Sequence, residues 1–176
     1  ELSSLFSAHC LSTLSCSAAS AGLLPLLASG VFTQNTAPLM CFDQYAHYSM
    51  NHIKASCSDE TEVVTCPHND MNYLESLCKK NRRVAYIADG VYSMGGIADI
   101  EAIKYLHHRY GVFIYIDDSH AVSAVGRQGS GYVRTHINPL DQHCIVVASL
   151  AKSFGASGGV VMFGNTEHKQ KSLRYG

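Results

Sequence analysis

The chain has 176 residues, 47% apolar and 15% charged, with 13 lysines and arginines against 14 acidic residues. That is enough for one domain with a sizeable core, short for two, and too apolar for a disordered segment. The scattered, balanced charge argues against a nucleic-acid surface, and the longest apolar run, 18–32, is broken by Gly22, Pro25, Ser29 and Gly30 and is too poor for a membrane span.

No basic stretch precedes that run, so no signal peptide is expected. Seven cysteines form an odd set without a CxxC pair, several inside apolar runs where a free thiol acts as a small hydrophobe. A reduced, cytoplasmic setting fits them better than a disulfide framework. Ten histidines raise the question of zinc, but Cys66-Pro67-His68, His107-His108 and His9-Cys10 lack ligand spacing, and no metal site is expected.

Leu2, Leu5 and Phe6 share a helical face, with no N-cap before them, so the chain opens inside an element and an N-terminal portion is expected to be missing. Residues 11–15 read as a short strand. A helix follows to about Leu27, with Ser17 as a candidate cap and small residues that let backbone N–H groups approach an anion. A strand at 38–42 closes on Asp43, and a helix is expected to open within 44–49. A strand at 62–66 precedes a helix capped at Asn69-Asp70 that buries Tyr73, Leu74 and Leu77. Next come a strand at 84–87, an amphipathic helix from Asp99 to Tyr110 stopped by Gly111, and a strand at 112–116. Strands at 144–148 and 159–163 and a helix from Glu167 complete the pattern. Seven mostly continuous apolar strands separated by helical segments predict an α/β fold: a largely parallel seven-stranded sheet with helices on both faces, an α/β/α sandwich.

Polar residues collect just beyond the strand ends: Asp43 and His47, Asp89 and Ser93, Asp117 and His120, Ser149 and Lys152. In open α/β sheets that edge binds ligands. A lysine at a buried strand end is costly unless paired, and a desolvated one becomes an amine nucleophile. The cofactor that uses such a lysine together with an acidic group on a ring nitrogen is pyridoxal 5′-phosphate. Asp117 would hold the ring nitrogen protonated, His120 could reach the phenolic oxygen, and His47 could lie against the ring. The helix from about Ala18 and the Ser149 hydroxyl would take the phosphate. Each residue also has a plainer role open to it: Lys152 as a loop lysine, His47 and His120 as helix-start or core histidines, Asp89 as a turn residue.

Asp117-Asp118-Ser119-His120-Ala121-Val122 with Gly126, and Ser149-Leu150-Ala151-Lys152 with Gly155 and Gly158-Gly159, resemble the α-oxoamine synthase family of fold-type I pyridoxal-phosphate enzymes. Asp89-Gly90-Val91-Tyr92-Ser93-Met94 and the stretch from Asp43 to His47 match it in the same order. The resemblance implies that Lys152 carries the cofactor as a Schiff base and then moves the Cα proton. It implies that Asp117 pairs with the pyridine nitrogen and that His120 and Ser93 contact the phenolic oxygen. His47 would stack on the ring, and Ser149 with the N–H groups of Ala18 and Ala19 would hold the phosphate. The implied reaction is a decarboxylating condensation of a small amino acid with an acyl-CoA to an α-aminoketone, in a homodimer.

The sequence departs from the family at Gly95, where an acidic residue is usual, at Ala18-Ala19, where a glycine–aromatic pair is usual, and at Ala46, usually asparagine. Family members are considerably longer. The chain therefore reads as a cofactor-binding large domain over 1–176 without the N-terminal segment and the small C-terminal domain that supplies a carboxylate-binding arginine. Three alternatives stay open: a Ser–Lys acyl enzyme built on Ser149-Leu150-Ala151-Lys152, a truncated and inactive copy, and an aminotransferase or lyase of the same fold.

Overall fold

The computed structural model of the chain describes residues 1–80 and 83–176. Helix α1 (Leu2–Phe6) ends where Ser7 turns left-handed at φ 47°, and β1 (His9–Thr13) begins two residues earlier than the sequence predicts. Because that strand ends sooner, Ser15 rather than Ser17 caps α2 (Cys16–Ala28): its backbone is extended and its Oγ accepts the N–H of Ala18 at 3.0 Å. Strand β2 (Leu39–Asp43) leads into two short helices, α3 (Tyr48–Asn51) and α4 (Lys54–Ser58), the second of them unexpected. Strand β3 (Val63–Cys66) precedes α5 (Met71–Lys79), capped by Asp70, and β4 (Val84–Asp89) precedes α6 (Ile100–Tyr110). Asp99 caps α6 through the N–H of Ala102, and Gly111 ends it at φ 71°. After β5 (Phe113–Asp117) come α7 (Tyr132–His136), which the sequence analysis does not anticipate, then β6 (Cys144–Ser149), β7 (Gly159–Phe163) and α8 (Thr166–Tyr175).

The seven strands form one sheet in the order β1-β7-β6-β5-β4-β2-β3. The five strands from β3 to β6 run parallel, and β7 pairs antiparallel with both β6 and β1. Strands β2, β4, β5 and β7 are buried at every position, as a sheet covered on both faces requires. Alternate residues feed two cores. Tyr86, Ile114, Ile116 and Val146 pack with Leu74, Ile103 and Val133 from α5, α6 and α7. On the other face Met40, Ile87, Tyr115 and Val147 pack with Leu24 and Leu27 of α2 and Met50 of α3. The α/β/α sandwich is therefore as expected.

Two buried polar side chains shape the loop that follows β5. Arg134 is 3% exposed, and its guanidinium donates to the carbonyls of Phe6 (2.9 Å from Nη2) and Ile137 and to Asn138 Oδ1 (3.0 Å), tying α1 to α7. Asp118, fully buried, accepts the N–H of Val133 at 3.0 Å. A Cβ on Gly90 or Gly131 would run into the Asp118 carboxylate, and Gly131 also sits at φ 99°. Gly131→Ala is therefore expected to destabilise the fold by about 3 kcal/mol, from overpacking plus left-handed strain, read as a lowered urea midpoint.

Candidate functional site

The C-terminal tips of β2, β4, β5 and β6 share one edge of the sheet. Asp89 and Asp117 are register partners across β4 and β5, and Asp117 lies beside Val147 of β6. Beyond Ser149 the chain makes a hairpin loop, 150–158, closed by the Leu150 N–H on the Gly158 carbonyl (2.9 Å) and the Ala156 N–H on the Leu150 carbonyl (2.8 Å). Lys152 rides on this loop and is exposed, which corrects the picture of a desolvated strand-end lysine. The strand stops three residues short of it, so the ammonium is placed by the loop and not by burial. It points back over the edge, and Nζ donates to Nε2 of His120 at 2.8 Å. Burial of part of the His120 ring, and then the Lys152 ammonium beside it, hold that imidazole below its ordinary value and favour the neutral, accepting form.

Near this pair, at the end of β5, is Asp117, 5% exposed. Its Oδ1 accepts the N–H of Ser119 at 2.9 Å, and its Oδ2 takes a long contact, 3.3 Å, from the Cys16 thiol. A carboxylate has about four acceptor sites, so capacity remains for a further donor. Ser119 also accepts the Ser149 N–H through its Oγ (2.7 Å), locking the tip of β6 to that of β5. Cys16 and Ser119 are site residues to which the sequence alone assigns no role. Ser119 stood inside the quoted motif, whereas Cys16 had no signal beyond its place at the helix start.

Asp89 accepts the backbone N–H of His47 at 3.0 Å. The His47 ring caps α3, its Nδ1 lying 2.8 Å from Ser49 Oγ and accepting the Ser49 N–H at 3.2 Å. Asp89 thus holds the His47 backbone, and Ser49 holds the imidazole through Nδ1. Burial raises the Asp89 carboxyl to about 7, with the neighbouring Asp117 adding to the rise. Asp43 belongs to a different constellation. Its carboxylate accepts from Tyr86 Oη (2.9 Å) and the N–H groups of Tyr45 (2.8 Å) and Asn69 (2.9 Å), and pairs with His68 Nδ1 (3.0 Å), so it is spent on holding loops.

The expected donors on Ala18 and Ala19 are engaged elsewhere: the Ala18 N–H goes to Ser15 Oγ and the Ala19 N–H to the Ser15 carbonyl at 3.0 Å. With the cap at Ser15, the first-turn N–H groups that lack an intrahelical acceptor belong to Cys16 and Ser17. Close approach of this helix start to β7 depends on Gly159, where a Cβ would lie 2.6 Å from the Cys16 nitrogen. The Ser149 hydroxyl accepts the Ala151 N–H at 3.2 Å. Ser93 is exposed in a turn closed by the Val91–Ile97 bridge, and Gly95 there sits at φ 95°, a conformation ill suited to the acidic residue it replaces.

The geometry defines an α/β domain that presents an amine, a neutral imidazole and a buried carboxylate at adjacent strand tips, next to a helix N-terminus. Residues 10–171 match the aminotransferase class I and II family, and the chain belongs to it. It is 35% identical over 128 residues to a serine palmitoyltransferase of Bacteriovorax stolpii, covering 70% of this chain and 30% of that one. It is 34% identical over 125 residues to an 8-amino-7-oxononanoate synthase of Hydrogenovibrio crunogenus, covering 68% and 31%. The matched stretch thus spans about a third of these curated relatives. Among solved structures, a serine palmitoyltransferase of Sphingomonas wittichii superposes with a TM-score of 0.80 at 22% identity, over 99% of this chain and 43% of that one. One from S. paucimobilis, solved with a bound PLP–myriocin aldimine, does so at 0.81 and 20% identity, over 98% and 44%. At such identities the superpositions show the shared fold.

Proposed function

We propose that this chain is the cofactor-binding large domain of a pyridoxal-phosphate-dependent α-oxoamine synthase, an acyltransferase that condenses a small amino acid with an acyl-CoA and releases carbon dioxide and CoA. One observation carries it: Lys152 Nζ stands 2.8 Å from His120 Nε2, near a buried Asp117 that still has acceptor capacity. The donor set fits the cofactor in kind. An amine suits its aldehyde, a carboxylate its ring nitrogen, and a helix start its phosphate.

Pyridoxal phosphate, when bound, supplies an electron sink for the carbanion that forms at the amino acid's Cα. Lys152 would hold the cofactor and move the Cα proton. Asp117 would keep the ring nitrogen protonated, since a buried carboxylate facing an N–H favours the charged ring. His120 and Ser93 would meet the phenolic oxygen, and His47, fixed by Asp89 and Ser49, would lie against the ring. Ser149 and the first turn of α2, read now as Cys16 and Ser17 in place of Ala18 and Ala19, would hold the phosphate. A homodimer and a cytoplasmic setting belong to the same proposal, supported by the family and by seven buried free thiols. Among the described residues no helix is long and apolar enough to cross a membrane.

The test is chemical. Adding pyridoxal phosphate to the purified chain is expected to give a yellow absorbance band, and borohydride reduction followed by peptide mapping should place the label on Lys152. A label spread over surface lysines would reject the assignment. With a small amino acid and an acyl-CoA supplied, free CoA should then appear. Colour without CoA release would favour the alternative that this chain binds cofactor without turnover.

A further inference from the structure

At the opposite edge of the sheet, three residues from separate segments converge: His107 at the end of α6, Asp141 in the loop after α7, and Cys144 at the start of β6. One ligand atom from each lies within 4.8 Å of the other two. Cys144 and Ser149 are the two ends of β6, five residues or about 16 Å apart, so this cluster is separate from the cofactor groups.

The imidazole is the informative member. His107 is 8% exposed, and its Nδ1 donates to the Val112 carbonyl at 2.8 Å. In the neutral ring this leaves Nε2 with a bare lone pair. That lone pair faces Asp141 Oδ2 at 2.6 Å. Two acceptors at such a distance repel unless something positive lies between them, and the choice is a proton or a metal ion. An Nδ1–H held by a backbone carbonyl is the arrangement that orients a metal-binding histidine through Nε2. The Asp141 carboxylate is itself oriented, its Oδ1 accepting the N–H of His143 at 2.6 Å.

We propose that His107 Nε2, Asp141 and the Cys144 thiolate form a binding site for a divalent transition metal of the zinc type. Nitrogen, oxygen and sulfur donors together suit a borderline-soft ion, and one thiolate plus one carboxylate balance its two charges. Bonds of about 2.0–2.3 Å require donors roughly 3.3–3.8 Å apart in a tetrahedral site. The His107–Asp141 contact must therefore open by roughly 1 Å, which the half-exposed Asp141 side chain can supply by turning about its Oδ1 bond to the His143 N–H. Cys144 is buried, but a groove of about 400 Å³, lined by Lys104, His108 and Asn138 along with the three ligands, gives an ion a route in and water a fourth position. Binding releases the thiol proton and any proton on Nε2 to solvent. The ion would clamp the end of α6 to the start of β6 and so act on stability.

Titration of the chain with cobalt(II), without added pyridoxal phosphate because that compound chelates metals itself, is expected to saturate at one equivalent. It should show intense tetrahedral visible bands and a near-ultraviolet thiolate charge-transfer band. Cys144→Ser should abolish the charge-transfer band, His107→Gln should weaken binding at least roughly tenfold, and Cys57→Ser should change neither. Zinc at a hundredfold excess over its Kd should raise Tm by roughly 5–10 °C, and a chelator should reverse this. Absence of the bands, their survival in Cys144→Ser, or undiminished binding by His107→Gln would overturn the proposal and leave a proton as the occupant.

Discussion

Lys152→Ala is expected to abolish both the yellow band formed with pyridoxal phosphate and the release of CoA, whereas Ser149→Ala keeps the band. The lysine amine beside His120 can form a Schiff base with an aldehyde, and it is also placed to move a proton. Its removal should cost at least about 10³-fold in turnover. Ser149 contributes a hydroxyl that now accepts the Ala151 N–H, so its loss removes one phosphate contact and weakens cofactor binding by about tenfold. The contrast also decides between chemistries. An acyl enzyme built on Ser149-Leu150-Ala151-Lys152 would lose all activity with the serine and would form no coloured species with the cofactor. A Ser149→Ala variant with full loss of CoA release and an unchanged spectrum would move the assignment to the serine.

Much of the fold was legible because its local signals agree with its tertiary role. Asp70, Asp99 and Gly111 punctuate α5 and α6 where the sequence places them, and continuous apolar runs became strands buried on both faces. Failures came where tertiary contacts outweigh local pattern. The cap moved from Ser17 to Ser15 because β1 stops early to pair with β7 and Gly159 draws the helix start against that strand. Helix α7, five residues long, is too short to give a periodic apolar signal, and Arg134 and Asp118 bind backbone groups around it. At the site, residue types were readable but exposure was not. Lys152 sits on a loop beyond the strand, and Asp43, which looks like Asp89 in sequence, is saturated by Tyr86, Tyr45, His68 and Asn69. The cluster of His107, Asp141 and Cys144 carries no spacing signal, since only the adjacency of β5 and β6 and the turn after α6 bring its members together.

The buried carboxylates at the site edge give the second large expected effect, an inverted dependence of stability on pH. Most folded proteins lose stability in acid because their carboxylates are paired and ionised. Here burial first, and then the charge of neighbouring Asp117, raise Asp89 from an ordinary 3.8 to about 7. Burial likewise raises Asp118 to about 8, against the opposing Val133 N–H, and Asp118 Oδ1 has no partner. Between the ordinary value and the raised one, the folded chain binds more protons than the unfolded chain, so stability is fully present below about pH 4 for these two groups and falls as pH rises through 7 to 8. A shift of this size corresponds to about 4 kcal/mol for Asp89 alone, or roughly 10 °C in Tm. Thermal melts of the cofactor-free chain should therefore show Tm declining from about pH 6.5 to 8, above the range in which the buried His168 imidazole, held down to about 4, acts in the opposite sense. Asp89→Asn, which cannot ionise but still offers an oxygen to the His47 N–H, should flatten the slope and make the protein more stable than its parent at pH 8 while leaving the two alike below about pH 4. A Tm that climbs over this interval in the parent chain would mean that these carboxylates are solvated or paired with cations, and the crowded strand tips described above would have to be redrawn.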